Sequence, residues 1–233
     1  MGNTVGSANT DFWNLIIGSE AKIHKNKFLP SEPISETKFH LTKDDAYIVG
    51  LWCADGYHRT SSIGLSNTDT DLIEKFREFF LKFLPMERLK LRIYQPDKFL
   101  RRTKAYHLYV NSRPLLRMFK EFKNDAKKFI NKDLILPYIA GRFDGDGSVA
   151  KDFYRDCRIV YGSREEAEND LALMRLLGFQ KMKIYHYRTA RTFCLYFSRL
   201  ETNEFLSLIY PYSVRLQKSV FVPRRDLIAA KMV

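Results

Sequence analysis

Apolar residues recur along this chain with two periods, and the periods alternate in an order that is used twice. Residues 44–55 contain no proline and carry their apolar positions at helical spacing. Residues 57–67 read as the strand region that follows. Residues 69–83 place Leu72, Ile73, Phe76, Phe79, Phe80 and Phe83 on one helical face. In 89–94, LKLRIY, alternation is strict: Leu89, Leu91 and Ile93 are expected to face a core, and Lys90, Arg92 and Tyr94 to face outward. Residues 105–110 make a second such strand presenting His107 and Tyr109, and a helix over 114–122 closes the unit.

The order returns from residue 134, where a helix begins with Pro137 in its first turn. A strand or hairpin at 148–162 follows, then a helix at 165–177 ended by Gly178. Strands at 181–187 and 192–197 and a helix at 202–208 complete the second unit. A parallel doubly wound sheet would need a helix after every strand. The expectation is instead an α+β fold of two αββαββα repeats, each with an antiparallel sheet. The repeats are placed at 40–125 and 134–222, with an extension at 1–39, a linker at 126–133 and a tail at 223–233.

The helices that open the two units share a motif. Residues 47–56 read YIVGLWCADG and residues 138–147 read YIAGRFDGDG, so Gly50 and Gly141, like Asp55 and Asp146, lie 91 positions apart. Gly50 and Ala54 share one helix face, as do Gly141 and Gly145, and small residues at this spacing let two backbones approach closely. Two such helices packed face to face would set Asp55 and Asp146 side by side, each followed by a glycine able to end its helix in the left-handed region. Adjacent carboxylates repel unless a cation lies between them, and hard divalent ions take carboxylate oxygens.

Both motifs resemble the LAGLIDADG motif of homing endonucleases, with the metal-binding acid at Asp55 and Asp146 and the closing glycine at Gly56 and Gly147. The sixth-position acid is present as Asp144 but is Cys53 in the first copy, a position the family tolerates changing. The resemblance implies a single-chain enzyme whose halves are related by a pseudo-twofold axis and packed through the motif helices. It implies hydrolysis of double-stranded DNA at a long asymmetric site, leaving 5′-phosphate and 3′-overhang ends. The implied cofactor is Mg2+, with Ca2+ or Mn2+ substituting in binding or activity, held by Asp55 and Asp146 with the carbonyls of Ala54 and Gly145. Asn67, Lys132, Arg215 and Lys218 are the amide and basic candidates for the pocket around those acids.

Charge and composition bear on the partner. The 233 residues carry a formal net charge of +12, which favours an anionic partner. A twisted sheet with outward Lys, Arg and Tyr suits the DNA major groove. Candidate contacts are Arg59, Lys90, Arg92, Tyr94 and His107 in the first sheet. The second offers Lys151, Arg155, Arg158, Lys183, Tyr185 and Arg191. Cys53, Cys157 and Cys194 are too few and too widely spaced for a disulfide scaffold or a structural zinc site. A reducing intracellular compartment is expected, cytoplasm or an organelle with its own genome. No segment has the length of a membrane span, and no obligate protein partner is expected. The competing readings are an intron RNA maturase, with intron RNA as partner, and a non-cleaving sequence-specific DNA-binding protein. The presence of both acids weighs against the second.

Overall fold

The computed structural model describes residues 41–95, 104–150 and 156–224. The expected contacts Lys151 and Arg155, together with the extension at 1–39, lie outside the described residues. The first unit runs α1 (Lys43–Asp55), β1 (Gly56–His58), β2 (Ser62–Asn67), α2 (Thr70–Leu81), β3 (Lys90–Tyr94), β4 (Ala105–Asn111) and α3 (Arg113–Asn124). Two short 3-10 turns lead to the second unit: α4 (Ile135–Asp146), β5 (Gly147–Val149), β6 (Cys157–Tyr161), α5 (Arg164–Leu176), β7 (Lys183–Tyr187), β8 (Thr192–Phe197) and α6 (Arg199–Ile209). A last helical turn, α7 (Val214–Gln217), falls inside the expected second repeat, after its last expected helix. The sheets are antiparallel with equivalent orders, β1-β2-β4-β3 and β5-β6-β8-β7. The fold is therefore two αββαββα repeats.

The two motif helices form the centre. α1 starts in a capping box, in which the Thr42 side chain accepts from Asp45 N and the Asp45 carboxylate accepts from Thr42 N. Lys82, just past the end of α2, donates to the same carboxylate at 2.8 Å. From Ala46 to Cys53 every residue of α1 is buried, and Tyr138 to Asp144 are buried in α4. A helix buried on all sides must be apolar nearly all round, as both motifs are. The glycines set the separation. A Cβ on Gly50 would lie 1.9 Å from the Tyr138 carbonyl oxygen, and one on Gly141 would lie 2.0 Å from that of Tyr47. No side chain fits there.

Gly56 and Gly147 end the helices differently from expectation. Both are extended, at φ −63° and −80°, not left-handed. Glycine is needed for space: a Cβ on Gly56 would fall 2.1 Å from the Trp52 carbonyl oxygen, and one on Gly147 would fall 2.4 Å from the Phe143 ring. Gly178, by contrast, does take the left-handed conformation after α5, with φ +94°.

Around this axis each unit packs aromatic rings. Trp52 meets Phe119 edge-on at 5.2 Å, and the equivalent Phe143 meets Phe205 at 5.9 Å. Each such fully buried ring contributes about 1.5–3 kcal/mol. These rings supply the stability, and the glycine ridge supplies the proximity.

One strand departs from its expected pattern. Leu91 and Ile93 share the helix-side parity of their β4 partners Leu108 and Tyr106, yet are 54% and 50% exposed. β3 is an edge strand, and the helices behind the sheet do not cover it. Alternation predicted the faces but not how far the covering layer extends. No helix among the described residues is long and apolar enough to cross a membrane.

Candidate active site and nucleic-acid interface

Packing the helices face to face brings their C-terminal ends together. A Cβ on Gly145 would lie 2.4 Å from the Ala54 Cβ and 3.4 Å from Cγ and Oδ2 of Asp55. The Asp55 carboxyl thus rests against the residue preceding Asp146. Burial and the neighbouring Asp146 charge raise the Asp55 pKa to about 6, and the hydrogen bond from Asn67 and the Arg215 charge hold it from rising further. The Asp146 carboxyl is also raised by burial, opposed first by Arg142 and then by Lys123 and Arg215. At both acids burial outweighs the nearby positive charge.

Asn67 ends β2 with the parity of Ile63 and Leu65, so its side chain turns to the helix layer, towards Asp55. Its Nδ2 donates to Asp55 Oδ2 at 2.7 Å, while its Oδ1 accepts from Asp69 N at 2.8 Å. The backbone donor fixes which end of the amide faces the carboxylate. Arg215, on α7, donates through Nη1 to the carbonyls of Asp144 at 3.0 Å and Gly147 at 3.2 Å. It therefore flanks Asp146 and satisfies carbonyls that the end of α4 leaves open.

Neither of the other two pocket candidates bonds to the acids. Lys218 is held by Asp69 at 2.8 Å and by Asp71 at 2.7 Å, an ion-pair bridge from the second unit to the start of α2. Lys132 lies in the turn before α4, at the end of the helix away from Asp146. Twelve residues at 1.5 Å each make that separation about 18 Å. Lys132 is excluded from the pocket by helix length, a distance that position just before a motif helix already implied.

Two features carry no expected role in the sequence reading. Asp144 is buried, and accepts from Tyr47 OH and Val214 N at 2.7 Å each and from Ser213 Oγ. It ties α1 to α4 and holds the turn that carries Arg215. Arg142 is also buried, paired with Asp170 at 3.1 Å and Glu166 at 3.0 Å, its guanidinium over the Tyr161 ring at 4.5 Å. A signal for it existed: an arginine inside an apolar motif, with acids at i and i+4 on a later helix. Among the described residues no group of three or more His, Cys, Asp or Glu could cage a metal ion. Two carboxylates alone suit a hard cation that completes its shell from water and a bound phosphate.

The sheets carry the expected contacts on their outer faces. Arg59, Lys90, Arg92, Tyr94 and His107 line one hollow with Tyr57 and Tyr109. Arg92 lies 5.2 Å from the Tyr109 ring and Arg59 5.7 Å from that of Tyr57. On the second sheet Lys183 and Tyr185 line a hollow with Tyr187 and Tyr196. Arg158 donates to Tyr196 OH at 2.6 Å and to Ser148 Oγ at 3.1 Å. Arg191 lies between β7 and β8 with φ 53°. The four tyrosines Tyr57, Tyr109, Tyr187 and Tyr196 were not among the expected contacts, although their strand parity marked them. His58 is exposed on β1, and burial with Lys120 and Lys123 lowers its pKa.

Known proteins share this arrangement. Residues 42–123 match the LAGLIDADG-like domain. Among solved structures, a variant of I-DmoI in complex with its target DNA and manganese aligns with TM-score 0.57 and 19% identity, over 72% of this chain and 94% of that one. The homing endonuclease I-WcaI bound to its DNA recognition sequence aligns with TM-score 0.56 and 14% identity, over 84% and 96%. Full-length DUF199/WhiA from Thermatoga maritima aligns with TM-score 0.53 and 12% identity, over 97% and 66%. At these identities the structural likeness speaks for the fold. No curated protein matches. One repeat thus matches the LAGLIDADG-like domain in sequence, and the second is built on the same frame, with both motif helices packed through their glycines.

Proposed function

We propose that this protein is a site-specific, metal-dependent endonuclease that hydrolyses double-stranded DNA at a long asymmetric site. The observation that carries the reading is the half-buried pair Asp55 and Asp146, with Asp55 raised to about 6 by burial and by its neighbour. A structural pair of helix ends has no need for two unneutralised carboxylates set together. A divalent cation held there would relieve the repulsion, and Mg2+ would fit because it keeps water and phosphate oxygens in its shell. When bound, the ion lowers the pKa of an attacking water and neutralises charge on the transferring phosphate and leaving 3′ oxygen.

The protein groups divide the remaining work. Asp55 and Asp146 would hold the cation, with the carbonyls of Ala54 and Gly145 as further oxygen donors. Asn67 fixes the orientation of the Asp55 carboxylate. Arg215 lends positive charge beside both acids. The basic, tyrosine-rich sheet faces grip the two half-sites, one face each, and the products are 5′-phosphate ends with 3′ overhangs. I-DmoI and I-WcaI are described as homing endonucleases, in agreement with this reading.

The test begins with selection of a cleaved site from a large randomised duplex library in magnesium. Single-turnover cleavage of a supercoiled plasmid carrying that site then compares wild type with Asp55→Asn and Asp146→Asn. Each substitution should lower double-strand cleavage by two or more orders of magnitude, while affinity in calcium changes far less. Wild-type cleavage by either variant would refute the site. A protein that binds its target but cuts nothing in any divalent metal would make the non-cleaving reading correct.

A further inference from the structure

We propose that one row of side chains on each sheet gives the two half-sites opposite base chemistry. Guanine would stand against Arg92 and His107 of the first sheet, and thymine against Val160 and Tyr185 of the second. The inference rests on the DNA-cleaving reading and names what each face of that site would read.

Strand register makes the two faces comparable residue by residue. Gly56 pairs with Leu65 as Gly147 pairs with Ile159, so Leu65 and Ile159 are equivalent. Both are fully buried against the helices, so their strand neighbours turn to the outer face. One outer row is Gly64, Tyr109 and Lys90 on the first sheet, and Arg158, Tyr196 and Lys183 on the second. The adjacent row is Ser66, His107 and Arg92 on the first, and Val160, Cys194 and Tyr185 on the second. Ser66 precedes Asn67, whose amide meets the Asp55 carboxylate. This row therefore starts at the acid-side end of β2, and a duplex held at the acids would cross it.

The two versions of that row differ in kind. On the first sheet Arg92 is exposed beside the Tyr109 ring, and His107 Nε2 lies 3.3 Å from Ser66 Oγ. An arginine fork donates to O6 and N7 of guanine in the major groove, the commonest specific contact there. On the second sheet the row carries no charge. Tyr185 is 49% exposed, and its ring meets that of Tyr196 edge-on at 5.3 Å. The hydroxyls of Tyr187 and Tyr196 lie 2.7 Å apart, and Arg158 donates to Tyr196 OH at 2.6 Å. Their polar ends are thus occupied within the protein, and what they offer is ring surface. The apolar group that the major groove presents is the C5 methyl of thymine. Arg158 does not restore a cation to the row, because it stands in the other one and also donates to Ser148 Oγ at 3.1 Å. Lys90 and Lys183, like Tyr109 and Tyr196, are equivalent and cannot distinguish the halves. The adjacent row can.

The experiment selects bound duplexes from a randomised library, using the full chain in calcium buffer. Wild type should enrich sites with a fixed guanine in one half and a fixed thymine in the other. R92Q should relax the guanine and leave the thymine. Y185R, which gives the second sheet the residue of the first, should replace the thymine by guanine. A second measurement uses wild-type protein alone and so is independent of how any variant folds. Deoxyuridine in place of the fixed thymine should weaken binding about fourfold for each methyl lost. Replacing thymines of the other half in the same way should leave binding unchanged. In that other half, 7-deazaguanine in place of the fixed guanine removes an acceptor and should weaken binding about fivefold or more. Like base chemistry in both halves overturns the proposal, as does deoxyuridine bound as tightly as thymine, or a thymine relaxed by R92Q. In each of those cases an enriched site leaves the DNA reading standing. If wild type enriches no sequence, that reading and the proposal fall together.

Discussion

At the scale of single residues, burial governs the two acids at the helix ends. Asp55 and Asp146 are each raised by burial, and their other polar neighbours only partly offset it. Asn67 matters because its amide is oriented by the Asp69 backbone, which leaves Nδ2 to donate to Asp55. A bond to the ionised form lowers a carboxyl pKa, so Asn67→Ala should raise that of Asp55 above about 6. In metal-free protein, carboxyl-carbon NMR should show that titration moved upward. A shift of one unit leaves about tenfold less carboxylate below the pKa. The cleavage defect of Asn67→Ala should therefore be deeper near pH 6 than near pH 8.5. A defect equal at both pH values would mean that Asn67 acts through shape alone.

At the scale of elements, the motif helices are held by what they lack. Replacing Gly141 with Leu would place side-chain atoms where Tyr47 oxygen and Leu51 nitrogen already stand, 2.0 Å and 2.6 Å from the first added carbon. Both obstacles are backbone, so the helices must separate. The loss should be at least about 3 kcal/mol, read by equilibrium unfolding in urea. Much of this was legible in the sequence, because the ten-residue motif repeats at a fixed offset and small residues at helical spacing have few other uses. Periodicity likewise marked the strands and the helix ended by Gly178. What it did not give was anything set by a third element. The reach of the helix layer over Leu91 and Ile93, the space that makes Gly56 and Gly147 glycines, and the removal of Lys218 into a bridge with Asp69 and Asp71 all depend on neighbours distant in sequence. In the site itself, the acids followed from the duplicated motif, and Asn67 from the resemblance. The roles of Asp144 and Arg142 required the packed interior, where an unpaired charge would be untenable.

At the scale of the whole molecule, the buried bond from Tyr47 to Asp144 decides which half pairs with which. Glycine ridges alone are self-complementary: a first repeat would fit another first repeat as well as it fits the second. The polar groups remove that freedom. Two first repeats would bury two Tyr47 hydroxyls beside two Cys53 thiols, with no carboxylate to receive them, and an unmatched buried hydroxyl costs about 1–3 kcal/mol. Two second repeats would ask each Tyr138, already bonded to Asp170 at 3.0 Å, to serve a facing Asp144 as well. Only the mixed pair gives Tyr47, Tyr138 and Asp144 a partner each without sharing. Separating the chain within 126–133 and producing the halves as independent polypeptides should therefore yield a one-to-one heterodimer by light scattering. Tyr47→Phe in the first half should let like halves mix, since the group that penalises self-association is then gone. The hydroxyl of one tyrosine thus serves as an address label, keeping two different sheet faces on one particle.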